Sequence, residues 1–199
     1  MSGRAMNNHR LLIPLLALSL LGACQRGMEK PPLEGAKIGG PFTLTSEDGT
    51  RIGSQMFEGK YRLIYFGYTY CPDVCPVDMQ NLMKGLKLFG KEDAARAAKI
   101  VPLFITLDPV RDTPAVLRQW TAAFDPRLIG LTGSEADIDQ VAKQFAVYFK
   151  RGTPNAQGAY LVDHARMALL FGPKGEPIAL ISQDKDGQAI AAELDRWVR

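Results

Sequence analysis

The stretch FGYTYCPDVCPVDMQNL, residues 66–82, sets Cys71 and Cys75 between an apolar run and an amphipathic one, each cysteine followed by a proline. Pro76 is tolerated only in the first turn of a helix, because further in it would remove a hydrogen bond and clash with the preceding turn. Beyond it, Met79, Leu82, Met83, Leu86 and Phe89 recur at three- and four-residue spacing, which is one face of a helix. Before it, YRLIYFGY (61–68) is an almost unbroken apolar and aromatic run, as expected of a strand covered on both faces. The stretch therefore predicts a buried strand that delivers a cysteine pair to the head of a helix.

Working outward, FTLT and the residues after Thr50 flank Asp48-Gly49, a hairpin signal. IVPLFITL (100–107) is a second buried strand, and Thr113-Pro114 marks a helix start whose inner face holds Val116, Leu117, Trp120 and Phe124. LIGLTG (128–133) is short enough for an edge strand. Ser134 with Asp137 resembles a capping box, followed by a helical stripe of Ile138, Val141, Ala142, Phe145 and Phe149. RGTPNAQG (151–158) is a loop, YLVDHARMALLF and PIALIS flank the turn GPKGE as an antiparallel pair, and QAIAAELDRWVR closes the chain as a helix. Strands alternating with helices and ending in a hairpin imply an α/β fold with a mixed central sheet covered by helices on both faces. With a cysteine pair at the head of the first main helix, this order resembles the thioredoxin fold.

Composition is that of one folded domain: 199 residues, 46% hydrophobic and 23% charged. The formal charge of +3 is partly carried by Arg4 and Arg10; without them 22 basic residues face 21 acidic ones, which suggests no basic patch for nucleic acid. The basic start MSGRAMNNHR precedes a 13-residue apolar run, LLIPLLALSLLGA, shorter than the roughly 20 residues a spanning helix needs. It ends in LGAC (21–24), which resembles the lipobox of bacterial lipoproteins. That resemblance implies a signal peptide over 1–23, cleavage before Cys24, lipid on the Cys24 thiol and acylation of its new amine. It further implies a chain anchored to a bacterial membrane and facing the periplasm, although Gln25 is not the aspartate that commonly retains lipoproteins at the inner membrane. An ordinary signal peptide or an uncleaved anchor is the alternative. Residues 24–37, rich in Pro, Gly and charge, read as a tether, and 38–199 as the domain.

Cleavage would leave two free cysteines, Cys71 and Cys75, and one histidine, His164. Groups four positions apart in a helical turn have Cβ atoms about 5–6 Å apart. Their sulfurs can converge on one ion or close a disulfide within the Cα separation of about 4.4–6.8 Å that such bonds require. A helix N-terminus acidifies a nearby thiol, which serves a metal ligand and a nucleophile alike. Two thiolates and an imidazole form a soft three-ligand set suited to Cu(I), and with a nearby oxygen to Cu(II); zinc would ask for a fourth ligand. Against this stand a structural disulfide, common in exported proteins, and a histidine held simply in the core. Met79 and Met83 lie on the apolar helical stripe and read as core, with Met167 a further thioether in reach. Asp73 and Asp163 are the nearest carboxylates, Asp163 either orienting the imidazole or solvated. DPVRDTP (108–114) reads as a helix-initiating turn with an Arg111–Asp112 contact.

With these residues in hand, the chain is identified as similar to the SCO/SenC family of copper-binding proteins that serve cytochrome c oxidase assembly. The carrying motifs are FGYTYCPDVCP (66–76), LFITLDPVRDTP (103–114), IGLTGS (129–134), YLVDH (160–164) and FGPKGE (171–176). The resemblance implies that Cys71, Cys75 and His164 bind one copper. It also implies a thioredoxin-like fold, and delivery of the metal to the copper-bearing subunit of cytochrome c oxidase or another periplasmic carrier, or reduction of that subunit's cysteines. It implies a binding protein rather than an enzyme, with thiol–disulfide reductase activity as the alternative. The rival reading is a periplasmic thiol–disulfide oxidoreductase for which metal is incidental. Oxidoreductases of the thioredoxin type keep two residues between their cysteines and a proline before the facing strand; here there are three, and YLVDHARM has no proline. A thiol peroxidase would place Thr or Ser three residues before its cysteine, where Tyr68 and Pro72 stand.

Overall fold

The computed structural model describes residues 29–199 together with Met1 and Gly3. The signal segment apart from Met1 and Gly3, Cys24 with its lipobox, and the tether up to residue 28 lie outside the described residues. Pro31–Arg199 forms one compact unit. From Pro31 the chain already belongs to it: the Leu33 N–H donates to the Ile178 carbonyl (3.0 Å) and the Gly39 N–H to the Gln144 carbonyl (2.8 Å). Backbone pairing and the packing of Leu33 and Ile38 on the core seat a segment whose composition alone reads as linker.

A hairpin of β1 (Thr43–Ser46) and β2 (Arg51–Gly53) leads through a 3-10 turn (Ser54–Phe57) to β3 (Tyr61–Gly67). Then come α1 (Val74–Glu92), a short α2 (Ala94–Ala97), β4 (Ile100–Thr106), α3 (Pro114–Thr121), β5 (Ile129–Thr132) and α4 (Glu135–Gln144). After these stand β6 (Phe149–Arg151), β7 (Val162–His164), β8 (Ala168–Phe171), β9 (Pro177–Ile181) and α5 (Gly187–Trp197). Seven strands form a sheet in the order β2-β1-β5-β4-β3-β8-β9, and β6 pairs β7 apart from it. β3, β4 and β5 run parallel, whereas β1 meets β5, and β8 meets both β3 and β9, antiparallel.

Every residue of β3 is buried, because both faces of the strand are covered. On one face Tyr65 stacks on Phe104, which in turn meets Trp120 of α3, and Tyr65 reaches α1 through its hydroxyl. On the other, Phe66, Phe42 and Phe171 surround Phe145 at the end of α4. The stripe expected on α1 is the one it buries: Met79, Leu82, Met83, Leu86 and Phe89 are each no more than 4% exposed, and each side chain so placed contributes about 1.5–3 kcal/mol of burial.

Three expectations are corrected. β5 is interior, between β1 and β4, because the N-terminal hairpin folds back and supplies the edge. The helix that follows it, α4, stops before Phe149: Ala146 adopts φ +56°, and the Val147 N–H returns to the Ala142 carbonyl (2.8 Å). This is a left-handed C-terminal stop without the glycine that would announce it, so Phe149 belongs to β6. The segment 160–171 is two strands, since Ala165–Met167 breaks the run between β7 and β8.

α1 and α5 approach closely at Gly85, where a Cβ would fall 2.3 Å from Ile190 Cγ2. Gly85→Ala, which would gain about 1 kcal/mol on an open helix surface, is expected instead to cost about 1–3 kcal/mol, read as a lower urea midpoint.

Candidate metal and thiol site

The site begins where β3 ends. Gly67 leaves room for the helix head, for a Cβ there would stand 3.1 Å from Cys75 Sγ and 2.9 Å from the Tyr65 ring. Cys75 lies in the first turn of α1 and is fully buried, as the placement of Pro76 requires. Cys71 is partly exposed in the loop before the helix. The pair is therefore not carried on one regular helical turn: Cys71 Sγ accepts the Cys75 backbone N–H at 3.4 Å, capping a donor the helix start leaves free. Both thiols are free.

His164, in β7, comes from 89 positions further along, and its Nε2 stands 3.4 Å from Cys75 Sγ. Nδ1 is 3.1 Å from the Ala165 carbonyl, an acceptor. The ring proton therefore belongs on Nδ1, leaving the Nε2 lone pair toward the sulfur. Burial holds the imidazole pKa below its usual value, so the ring is neutral and carries no proton to displace. Orientation comes from that backbone carbonyl, not from Asp163, which is exposed, as is Asp73. Met79 and Met83 are core, and Met167 packs against it.

The two thiols differ. Burial pushes Cys75 up to about 12. Burial would raise Cys71 as well, but hydrogen bonds from the Cys75, Asp73 and Val74 backbone N–H groups outweigh it and bring Cys71 below the ordinary thiol value. Among the described residues no three His, Cys, Asp or Glu side chains already close round a common point. Cys75 and His164 are in contact, and Cys71 stands one hydrogen bond away.

The DPVRDTP turn does more than start a helix. Asp112, fully buried, accepts from the Thr69 N–H (3.0 Å), Thr69 Oγ1 (2.6 Å) and Thr106 Oγ1 (2.5 Å), so it holds the loop two residues before Cys71. The expected Arg111–Asp112 contact is absent from these partners; Arg111 pairs with buried Asp108. Its Nη1 donates to the Tyr160 carbonyl (2.9 Å), and its guanidinium lies 3.7 Å from the Tyr160 ring centre and 4.9 Å from that of Tyr70. Tyr160 OH donates to Asp108 (2.6 Å). One turn thus grips the chain on both sides of the site, just before Cys71 and just before β7. Sequence pattern signalled the turn through its aspartates and proline, but not which aspartate reaches where.

Sequence reasoning also missed Asp78. It is fully buried on α1 and accepts from Tyr65 OH (2.7 Å) and from Arg166 Nε (3.1 Å) and Nη2 (2.6 Å). An aspartate among the apolar positions of a helix was the available signal.

A mixed sheet of this order with thiols at the head of the helix after β3 is a thioredoxin-like protein whose site adds an imidazole. The SCO1/SenC family model matches residues 30–199, and the chain belongs to that family. It is 37% identical over 175 residues to the human Protein SCO1 homolog, mitochondrial, covering 88% of this chain and 56% of that protein. To Protein SenC of Rhodobacter capsulatus it is 40% identical over 152 residues, covering 76% of this chain and 65% of the other. The chain spans roughly half to two thirds of the length of these relatives. Among solved structures, Bradyrhizobium japonicum ScoI with copper bound aligns with a TM-score of 0.72 at 37% identity, over 81% of this chain and 99% of that one. Yeast Sco1 aligns at 0.73 and 32% identity, over 80% and 96%.

Limiting iodoacetamide at neutral pH is expected to alkylate Cys71 at least about ten times faster than Cys75, as read by peptide mapping. Asp112→Ala, which strands the Thr69 N–H and the two threonine hydroxyls, is expected to lower stability by about 2–4 kcal/mol, read as a lower midpoint of thermal unfolding.

Proposed function

We propose that the chain is a copper carrier that binds one Cu(I) through Cys71, Cys75 and His164 and hands it to the copper-bearing subunit of cytochrome c oxidase. The observation that carries this reading is the meeting of the Cys75 sulfur with the neutral His164 Nε2 at 3.4 Å, beside a second free thiol. Two sulfurs and an imidazole match a soft monovalent cation better than Mg2+ or Ca2+, which take oxygen. The family includes ScoI of Bradyrhizobium japonicum and Sco1 of yeast, both solved with copper bound, which supports the same cargo here.

In this mechanism Cys71, partly exposed and acidified, is the entry ligand. Cys75 sits behind it and gives up its proton on metal binding, which the site must compensate with metal–sulfur bonding. His164 supplies the third ligand without releasing a proton. A three-coordinate ion at a partly exposed loop leaves room for an acceptor thiolate or imidazole, and transfer proceeds by ligand exchange. Closing Cys71 and Cys75 into a disulfide removes two electrons and two protons and takes away both donor sulfurs, so loading depends on the redox state of the pair.

We further propose that residues 1–23 are a signal peptide, that Cys24 is lipidated, and that a short tether holds the domain on the periplasmic side of a bacterial membrane. LGAC before a Pro- and Gly-containing segment supports this. A thiol–disulfide oxidoreductase is the second reading, favoured by the asymmetry of the thiols: a partly exposed, acidified attacker and a buried partner to resolve it.

Metal analysis of the reduced full chain separates the two. About one copper per chain is expected for the native protein, with affinity lowered at least about 100-fold in His164→Ala and in Cys75→Ala. Near-equal retention in all three would overturn the carrier. An oxidoreductase would instead keep its reduction of an aromatic disulfide in His164→Ala and lose it in Cys71→Ala.

A further inference from the structure

His164 stands on a strand outside the main sheet. β7 is three residues long, pairs among the described residues only with the three-residue β6, and the main sheet resumes at Ala168. Short two-stranded ribbons are marginal by themselves, yet the imidazole must keep a fixed place against a sulfur on α1. The segment between the strands, Ala165–Met167, is where that place is decided.

Arg166 lies two residues after His164, and Asp78 lies three residues after Cys75, on the same side of α1. Between them runs a bidentate ion pair: Nε at 3.1 Å and Nη2 at 2.6 Å from the two carboxylate oxygens. Asp78 is fully buried and also accepts from Tyr65 OH, so its carboxylate cannot move to follow a drifting arginine. The Arg166 main chain is held separately, since Gln183 Nε2 donates to its carbonyl (3.1 Å) and Asn81 Nδ2, again on α1, donates to the Gln183 carbonyl (3.3 Å). Immediately before it, the Ala165 N–H donates to the Tyr148 carbonyl (2.9 Å), and the Ala165 carbonyl faces His164 Nδ1. The contacts form a closed ring: Cys75, one turn of α1, Asp78, Arg166, the Ala165 carbonyl, the imidazole, and Cys75 Sγ again.

We propose that Arg166, through Asp78, is the positioning residue that sets the His164 imidazole against Cys75, and so converts a two-thiol site into a three-ligand one. The proposal rests on the copper reading for its purpose and on the ring of contacts for its geometry. A bidentate guanidinium defines both distance and angle, which a single-point cation does not. Arg166 therefore acts on the orientation of a ligand rather than on the sulfurs, and its loss should resemble loss of His164 more than loss of either cysteine.

A double-mutant cycle on the reduced full chain tests this, pairing Arg166→Gln with His164→Ala and reading Cu(I) affinity by competition with a chromophoric chelator. Arg166→Gln is expected to weaken binding about 10–100-fold, and the double variant to bind no more weakly than His164→Ala alone, because the arginine has nothing left to position. Amide hydrogen exchange without metal gives the second reading. Exchange at Ala165 should quicken at least tenfold in Arg166→Gln while the amides of α1 stay protected, and Arg166→Lys should recover part of both effects. Should Arg166→Gln unfold the chain by stranding Asp78, the paired variant Asp78→Asn/Arg166→Gln removes the buried charge and takes its place in the cycle. Losses that simply add, or unchanged exchange at Ala165, overturn the proposal. Native copper affinity in His164→Ala overturns the copper reading instead, leaving the clamp to be judged by exchange alone.

Discussion

A sulfur on the first turn of α1 and an imidazole 89 positions later lie in contact, and most of the polar architecture near them serves to keep them there. Neither group is held by the covalent chain near the other. Contact requires that the end of β3, the head of α1 and the short strand β7 occupy one corner, and hydrophobic burial of the helix stripe and sheet brings them only approximately together. Burial is non-directional; the last ångströms come from hydrogen bonds with defined geometry.

Three buried aspartates supply those bonds. Asp112 holds the loop leading to Cys71, Asp108 works with Arg111 and Tyr160 on the approach to β7, and Asp78 meets Arg166 just beyond His164. A buried carboxylate is costly unless paired or fully hydrogen-bonded, and each of these is satisfied by two or more donors. Removing a donor would therefore leave a charge in low dielectric, so each network keeps one arrangement. Such stiffness keeps the contact between Cys75 and His164 in one place, while Cys71 beside it stays partly exposed.

The division of labour between the thiols follows from position alone. Cys71 precedes the helix and receives backbone donors, whereas Cys75 is packed under Gly67 and Tyr65. Four chain positions separate the loop cysteine from the one in the helical turn, and the chemistry of the two sulfurs diverges accordingly. The same asymmetry serves metal capture and disulfide exchange, so what distinguishes the two functions is the imidazole, not the cysteines.

Local pattern was enough for most of the scaffold. The apolar run of β3, the α1 stripe, the Thr113 and Ser134 caps and the Asp48-Gly49 hairpin are each written in a few adjacent residues, because a strand, a helix face or a cap is built from neighbours. The identities of Cys71, Cys75 and His164 as the candidate chemistry were likewise legible, since no other cysteine or histidine stands in residues 38–199. Tertiary structure alone decided the rest: that β5 is interior, that α4 ends on Ala146 in a left-handed turn, that Arg111 takes Asp108, and that Asp78 finds Arg166. These depend on which distant groups meet once the core has formed. A buried charge chooses its partner by three-dimensional proximity, and no spacing along the chain records that choice.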